Sequence, residues 1–241
     1  MECFAASFVA YFTTLFFKVP HSKYPLLGIQ RFDLSSLFYV LLAGILFGFT
    51  ARVFISFTHF LEQQLNRIFK YSPLRGMIVG AMLVLLFFWE GSNRYLGLGI
   101  PVIQDAFFHL TDLTVPMLKG FFTGLTIAGG FKGGEFIPLV FMGTTLGSAL
   151  SLWLPVSTQL MASVGFAAVF AGAANTPIAC TLMAVEIFGF NILPYAFLAC
   201  FTSYYFSGST GIYGSQKKPD QGQWVPSQLM MGFPWSERQK N

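Results

Sequence analysis

The chain has 241 residues, of which 54% are hydrophobic and only 10% are charged, and it contains 30 phenylalanines. Soluble globular domains carry about 25% charged residues, and disordered chains are poor in apolar residues, so both classes are excluded. The net charge of +4 is too small and too scattered for a nucleic-acid-binding protein. The composition predicts a protein whose solvent is the lipid bilayer.

Eight apolar segments follow one another along the chain. They cover residues 4–17, 37–61, 76–89, 121–130, 136–154, 160–174, 178–190 and 192–206. Only two or three approach the roughly 20 residues that a straight helix needs to cross a bilayer. Short, broken helices persist in lipid only when they pack within protein or line a cavity. We therefore predict an all-α, polytopic integral membrane protein with tilted, short and broken helices, as in ion-coupled transporters.

The distribution of polar residues predicts three parts. Residues 1–32 hold the first helix and a polar connector, residues 33–216 hold the main transmembrane domain, and residues 217–241 form a polar tail that we place in the cytoplasm. No basic region or cleavage site marks a secretory signal peptide. We expect a multi-pass protein of the cell (inner) membrane.

Three pairs of glycines at four-residue spacing indicate close packing of helices. The pairs are Gly44 with Gly48, Gly76 with Gly80, and Gly143 with Gly147. Such spacing is common at helix contacts in membranes. We interpret the pairs as packing positions, with no functional role.

Four acidic residues lie in or beside apolar sequence, where carboxylates are costly and often mark a proton or ion route. Glu90 and Asp105 are interpreted as interfacial. Glu186 ends an apolar segment and is favoured as a contact between helices or subunits, with a secondary functional acid as the alternative. Glu135 is the strongest candidate for function.

Glu135 stands in the glycine-rich segment 129–138 (GGFKGGEFIP). Its four glycines allow unusual dihedrals and close backbone approach, and Pro138 suits the first turn of a helix. The amides of Phe136 and from Leu139 onward would form an anion cradle. The carboxyl group can accept a proton when the site is empty and donate a hydrogen bond when protonated. The alternative, that it only caps the helix, stays open.

Tyr213 follows a second glycine-rich segment, residues 207–215 (SGSTGIYGS). Its hydroxyl group can point inward as a donor to an anion. A lone tyrosine near a membrane interface is more often an anchor in the aromatic belt, and the sequence alone favours that interpretation.

At these residues the sequence resembles the chloride channel and antiporter (CLC) family. Residues 134–138 are similar to that family's G-x-F-x-P anion-binding motif, and residues 139–147 have the form of its continuation. Residues 95–101 fit the loop before these helices, residues 170–177 and 185–189 match the penultimate helices, and residues 211–213 match the anion-binding tyrosine. The resemblance covers nearly the whole chain, and Glu before Phe136 is typical of the fluoride-exporting clade.

The resemblance implies membrane anion transport. It implies that the chain is part of a fluoride(chloride)/proton antiporter whose first-half motifs are missing from this sequence. It implies that the anion site and its pathway are formed by Gly133, Gly134, Glu135, Phe136, Ile137 and Tyr213. Ile137 stands where the fluoride clade commonly has a threonine, so a side-chain switch at this position would differ. No cofactor, metal or nucleic acid is expected; the expected partners are fluoride or chloride, protons and lipid.

The resemblance also implies that the chain is the second of two inverted halves, beginning within the last part of the first half. We expect either a homodimer or a separate first-half chain, and a truncated gene, a split gene or a fragment would each explain the sequence. The alternative function is a non-transporting remnant or interaction subunit. An enzyme is not expected, because the sequence has neither an H-E-x-x-H helix nor a G-x-S-x-G elbow.

Overall fold

The computed structural model describes residues 2–19, 24, 33–131, 133–208 and 210–213. Within these residues the regular structure is helical, which confirms the all-α prediction. The three-part division stays a prediction, because residues 217–241 and most of the connector before residue 33 lie outside the described residues. The α-helices are α1 Glu2–Phe16, α2 Leu34–Ile68, α3 Ser72–Glu90, α4 Ile100–Asp105, α5 Thr114–Ala128, α6 Phe136–Leu150, α7 Thr158–Ala174, α8 Pro177–Phe188 and α9 Leu193–Phe206.

Two of the described helices, α2 with 35 residues and α3 with 19, are long and apolar enough to cross a membrane. Helix α2 begins after Asp33, whose side chain accepts hydrogen bonds from the amides of Ser35 and Ser36 and so satisfies donors of the first turn. The other apolar helices have 17 residues or fewer. The prediction of short, interrupted helices is therefore confirmed.

Two predicted boundaries were wrong by about two turns. Helix α2 continues to Ile68, seven residues beyond the predicted end, and α5 begins at Thr114, seven residues before the predicted start. Both extensions contain polar residues, and an apolar-run criterion stops at the first of them. Pro116 is compatible with α5, because a proline in the first turn removes only an amide that has no helical acceptor.

The core is built around α7, which has 14 of its 17 residues buried. Helix α6 lies antiparallel against it, and α2 and α9 pack on its other sides. Glycines allow the α6–α7 approach: a Cβ atom built on Gly143 would lie 2.1 Å from the carbonyl oxygen of Gly165, and one on Gly147 would lie 2.2 Å from that of Met161. The two backbones are therefore in direct contact.

The glycine pairs predicted to pack are confirmed to different degrees. A Cβ atom on Gly44 or Gly48 would clash with α9, at 2.9 Å from Thr202 Cβ and 2.6 Å from the carbonyl oxygen of Ser203 respectively. Gly76 is less crowded, with its nearest neighbour at 3.8 Å. Helix α3 is largely uncovered in this chain, since only 11% of its most apolar window is buried.

We predict that Gly143→Ala destabilises the protein, because the new methyl group would force α6 and α7 apart. Overpacking of this kind costs about 1–3 kcal/mol. The apparent melting temperature of the detergent-solubilised chain measures the effect. The matched control is Gly76→Ala, also within a helix, where the methyl group has room and helix propensity favours alanine. Equal melting temperatures for the two variants would contradict the α6–α7 contact.

Candidate functional site

Glu135 immediately precedes α6, in the segment that connects α5 to it. It occupies the N-cap position, but its side chain makes no capping hydrogen bond. Its Oε2 atom is buried and has no hydrogen-bond partner among the described residues. Buried polar atoms are nearly always paired. Helix capping therefore does not account for the placement of this carboxyl group.

The first turn of α6 offers two free amides. Phe136 and Ile137 are the first two helical residues, and their N–H groups have no acceptor within the helix. The prediction for Leu139 was wrong: its amide donates to the carbonyl oxygen of Glu135 at 3.3 Å, because it is the first to reach an acceptor four residues back. Pro138 has no N–H group. The predicted anion cradle is thereby reduced to two amides.

The glycines before Glu135 have two different roles. Gly130 has a φ of 93°, and a Cβ atom there would lie 2.9 Å from Nη2 of Arg75. Gly129 lies close to α3, with its Cβ position 2.7 Å from Val79 Cγ1. Close approach is thus confirmed at both positions, and an unusual dihedral at Gly130. The predictions of close approach and unusual dihedrals are wrong for Gly133 and Gly134. These two glycines have open space around them and no left-handed backbone.

The surroundings of Glu135 favour its neutral form. Partial burial raises the pKa of its carboxyl group above the ordinary value, and the negative charge of Glu62 raises it further. Both effects have the same sign, since each penalises the ionised form. Glu62 lies in the last third of α2, on an exposed surface. The carboxyl group consequently keeps its proton to a higher pH than an isolated glutamate does.

Tyr213 lies on a segment attached to the end of α7. The amide of Ile212 donates to the carbonyl oxygen of Ala173 at 2.9 Å. The side chain is 41% exposed. Burial raises the pKa of Tyr213, and the charge of Glu135 raises it further, so the two groups lie within electrostatic range of each other. The structure thus brings Tyr213 and Glu135 to the same end of the α6–α7 pair.

The other acidic candidates lie elsewhere. Asp105 forms an exposed pair with His109, with 2.7 Å between Oδ1 and Nδ1. Glu90 is the last residue of α3, followed by Gly91 in a left-handed conformation. Glu186 is exposed on α8. Among the described residues, the acid whose charge acts on Glu135 is Glu62.

Sequence reasoning missed three polar residues of interest. Lys119 is 2% exposed, and its Nζ donates to the carbonyl oxygens of Tyr95 at 3.1 Å and Gly97 at 2.8 Å. It lies just before the predicted apolar segment 121–130 and was therefore not considered. Glu62 lies one residue beyond a predicted segment. Asn175 was part of a quoted motif, and nothing in the sequence indicated that both polar atoms of its side chain are buried without a partner.

Comparison with known proteins gives consistent results. A family model described as "Voltage gated chloride channel" matches residues 1–208. The chain is 40% identical over 227 residues to the "Chloride/fluoride channel protein" of Pseudomonas syringae pv. tomato, covering 89% of this chain and 49% of that protein. It is 27% identical over 188 residues to the "H(+)/Cl(-) exchange transporter ClcA" of Vibrio cholerae, covering 71% and 40%.

A solved structure gives the same result for the fold. The structure described as "Crystal structure of a CLC-type fluoride/proton antiporter" superposes with a TM-score of 0.80 and 30% sequence identity, covering 85% of this chain and 52% of that one. The chain therefore spans about half the length of the relatives it matches.

We predict that Glu62→Gln lowers the pKa of Glu135, because it removes a nearby negative charge while leaving burial, the larger cause, in place. The midpoint is measured by the infrared absorption of the protonated carboxyl group, as the difference between the chain and its Glu135→Gln variant across pH. Glu186→Gln is the matched control and leaves the midpoint unchanged. An unchanged or raised midpoint in Glu62→Gln would contradict the electrostatic coupling.

Proposed function

Because the chain belongs to the voltage-gated chloride channel family, whose members are integral membrane transporters rather than enzymes, we propose that it forms the second half of a fluoride/proton antiporter. The observation that carries this proposal is the buried, unpartnered oxygen of Glu135 beside the two free amides of α6. The 40% identity to a protein named for chloride and fluoride supports it. The proposed location is the cell (inner) membrane, which a multi-pass chain of this kind fits.

The proposed anion site consists of the Phe136 and Ile137 amides, the Tyr213 hydroxyl group and the Glu135 carboxyl group. Gly133 and Gly134 lead the chain to it. The N-terminus of α6 adds a partial positive charge that favours an anion. Fluoride is small and strongly hydrated, so several donors must replace its water together. Fluoride is therefore the anion that benefits most from a cluster of donors.

Proton and anion binding are coupled through Glu135. When protonated, the carboxyl group donates a hydrogen bond to the anion; when ionised, it repels the anion. Each ligand therefore raises the affinity of the site for the other by the same factor. The raised pKa of Glu135 supports this assignment, because it extends the pH range in which the donor form is present. We propose Glu186 only as a secondary acid on the protein's surface.

The chain covers about half the length of its relatives, so a whole transporter of this kind also needs the first half. We propose that a first-half segment, on a separate chain or in a longer protein, closes the remaining wall of the pathway. The uncovered surface of α3 supports the existence of a further packing partner or lipid contact. In the assembled protein, we propose residues 33–216 as the transmembrane domain, preceded by the end of the first half in residues 1–32 and followed by a cytoplasmic tail.

We predict that liposomes containing the chain together with a first-half polypeptide release fluoride faster than chloride, and that Glu135→Gln reduces the fluoride flux at least tenfold. The reason is that glutamine cannot exchange a proton with the anion site. Flux is measured with a fluoride-selective electrode and an internal pH dye. Asp105→Asn, which neutralises an exposed acid outside the site, is the matched control and retains the wild-type flux.

The outcomes separate the alternatives. Fluoride flux with the chain alone would show that no first half is needed. Absence of flux from both preparations, with the protein correctly folded, would contradict the proposed function and favour a non-transporting subunit. Equal fluoride and chloride rates would contradict the assignment of fluoride alone.

A further inference from the structure

The side chain of Asn175 is the least explained polar group near the proposed site. Asn175 ends α7 in a left-handed conformation with a φ of 56°, which asparagine tolerates. Its Nδ2 and Oδ1 atoms are both buried and have no hydrogen-bond partner among the described residues. Leaving a buried amide unpaired is costly. Such a group calls for a hydrogen-bond partner outside the described residues.

Packing places Asn175 beside the residues that lead into α6. Helices α6 and α7 are antiparallel, with Gly147 opposite Met161 and Gly143 opposite Gly165. Continuing this register brings the first residues of α6 to the last residues of α7. The ring contact of Phe136 with Phe170, whose centroids lie 4.8 Å apart, confirms the register at that end.

The same end of α7 holds the segment that carries Tyr213. A Cβ atom on Gly211 would lie only 2.5 Å from Nδ2 of Asn175, and the neighbouring Ile212 is hydrogen-bonded to Ala173. The carboxamide therefore lies where the α6 N-terminus, the α7 C-terminus and the Tyr213 segment meet. One turn before Asn175 in α7, Gly172 faces the hydroxyl group of Ser203 in α9. That hydroxyl group is fully buried and also has no partner among the described residues.

We propose that Asn175 is an anion-binding residue whose NH₂ group donates to the halide held at the N-terminus of α6. This inference depends on the proposed function, because it adds a donor to the same site. An amide is suited to the role: it donates without carrying a charge, so it binds the anion without attracting the Glu135 carboxylate as strongly as a cation would. The Cβ position of Gly211, 2.5 Å from Nδ2, places the carboxamide against the Tyr213 segment.

The test measures fluoride binding to the purified chain by calorimetry, which is independent of flux. Asn175→Gly keeps the left-handed backbone and removes the donor, and Asn175→Asp keeps the shape but replaces the donor with a negative charge. We expect the dissociation constant for fluoride to rise about tenfold in the glycine variant, the change that corresponds to one hydrogen bond to a charged group. It should rise more in the aspartate variant. Asn191→Asp, at an exposed position, is the matched control and leaves affinity unchanged.

A second measurement separates direct binding from positioning. In the Tyr213→Phe background, Asn175→Gly should weaken fluoride binding by a further factor, since two independent donors act additively. No further loss in that background would overturn direct donation. Wild-type affinity in both Asn175 variants, alongside a weakened Tyr213→Phe variant, would overturn the role of Asn175 while leaving the proposed function intact. Failure of the unmodified chain to bind fluoride, both alone and together with the first-half polypeptide of the flux assay, would overturn both.

Discussion

The backbone contact between α6 and α7 is the constraint on which the rest of the structure depends. Three glycines, Gly143, Gly147 and Gly165, allow two helices to approach until a carbonyl oxygen of each occupies the space of the other's missing side chain. In a bilayer, where lipid competes for apolar surfaces, such close approach is the main source of helix association. It also fixes the register. The start of α6 must lie beside the end of α7, and the candidate site lies at that junction.

The site differs from the core in how its polar atoms are satisfied. Within α6, buried hydroxyl groups find acceptors in their own helix: Thr144 donates to Val140 at 2.8 Å and Thr145 to Phe141 at 2.7 Å. At the junction, the Glu135 and Asn175 side chains have buried atoms without partners. Buried atoms without partners among the described residues also occur at Thr58, Arg75, Glu90 and Ser203. At the junction two such side chains come from different helix ends, and each unsatisfied buried group requires an explanation.

The sequence predicted the helical class and the interrupted helices, since each depends on local residue types. It could not predict what depends on packing. Gly133 and Gly134 resemble their neighbours in sequence, yet only Gly129 and Gly130 approach α3. In the sequence, Lys119 marks the polar boundary of an apolar segment. In the structure its ammonium group is buried, donates to two backbone carbonyl oxygens and lies 5.0 Å from the centre of the Phe141 ring. The burial of the Asn175 side chain depends on segments that are distant from one another in the sequence.

The arrangement at the α6 N-terminus also explains why one acid and several donors belong together. Free amides and the Asn175 carboxamide favour any acceptor that reaches them, whether a halide or the ionised Glu135 carboxylate. Proton binding to Glu135 removes the second acceptor and turns it into another donor, so the anion then faces donors alone. Deprotonation reverses this and lets the carboxylate compete for the same groups. In the proposed site, competition between the carboxylate and the anion for shared donors couples the binding of proton and anion.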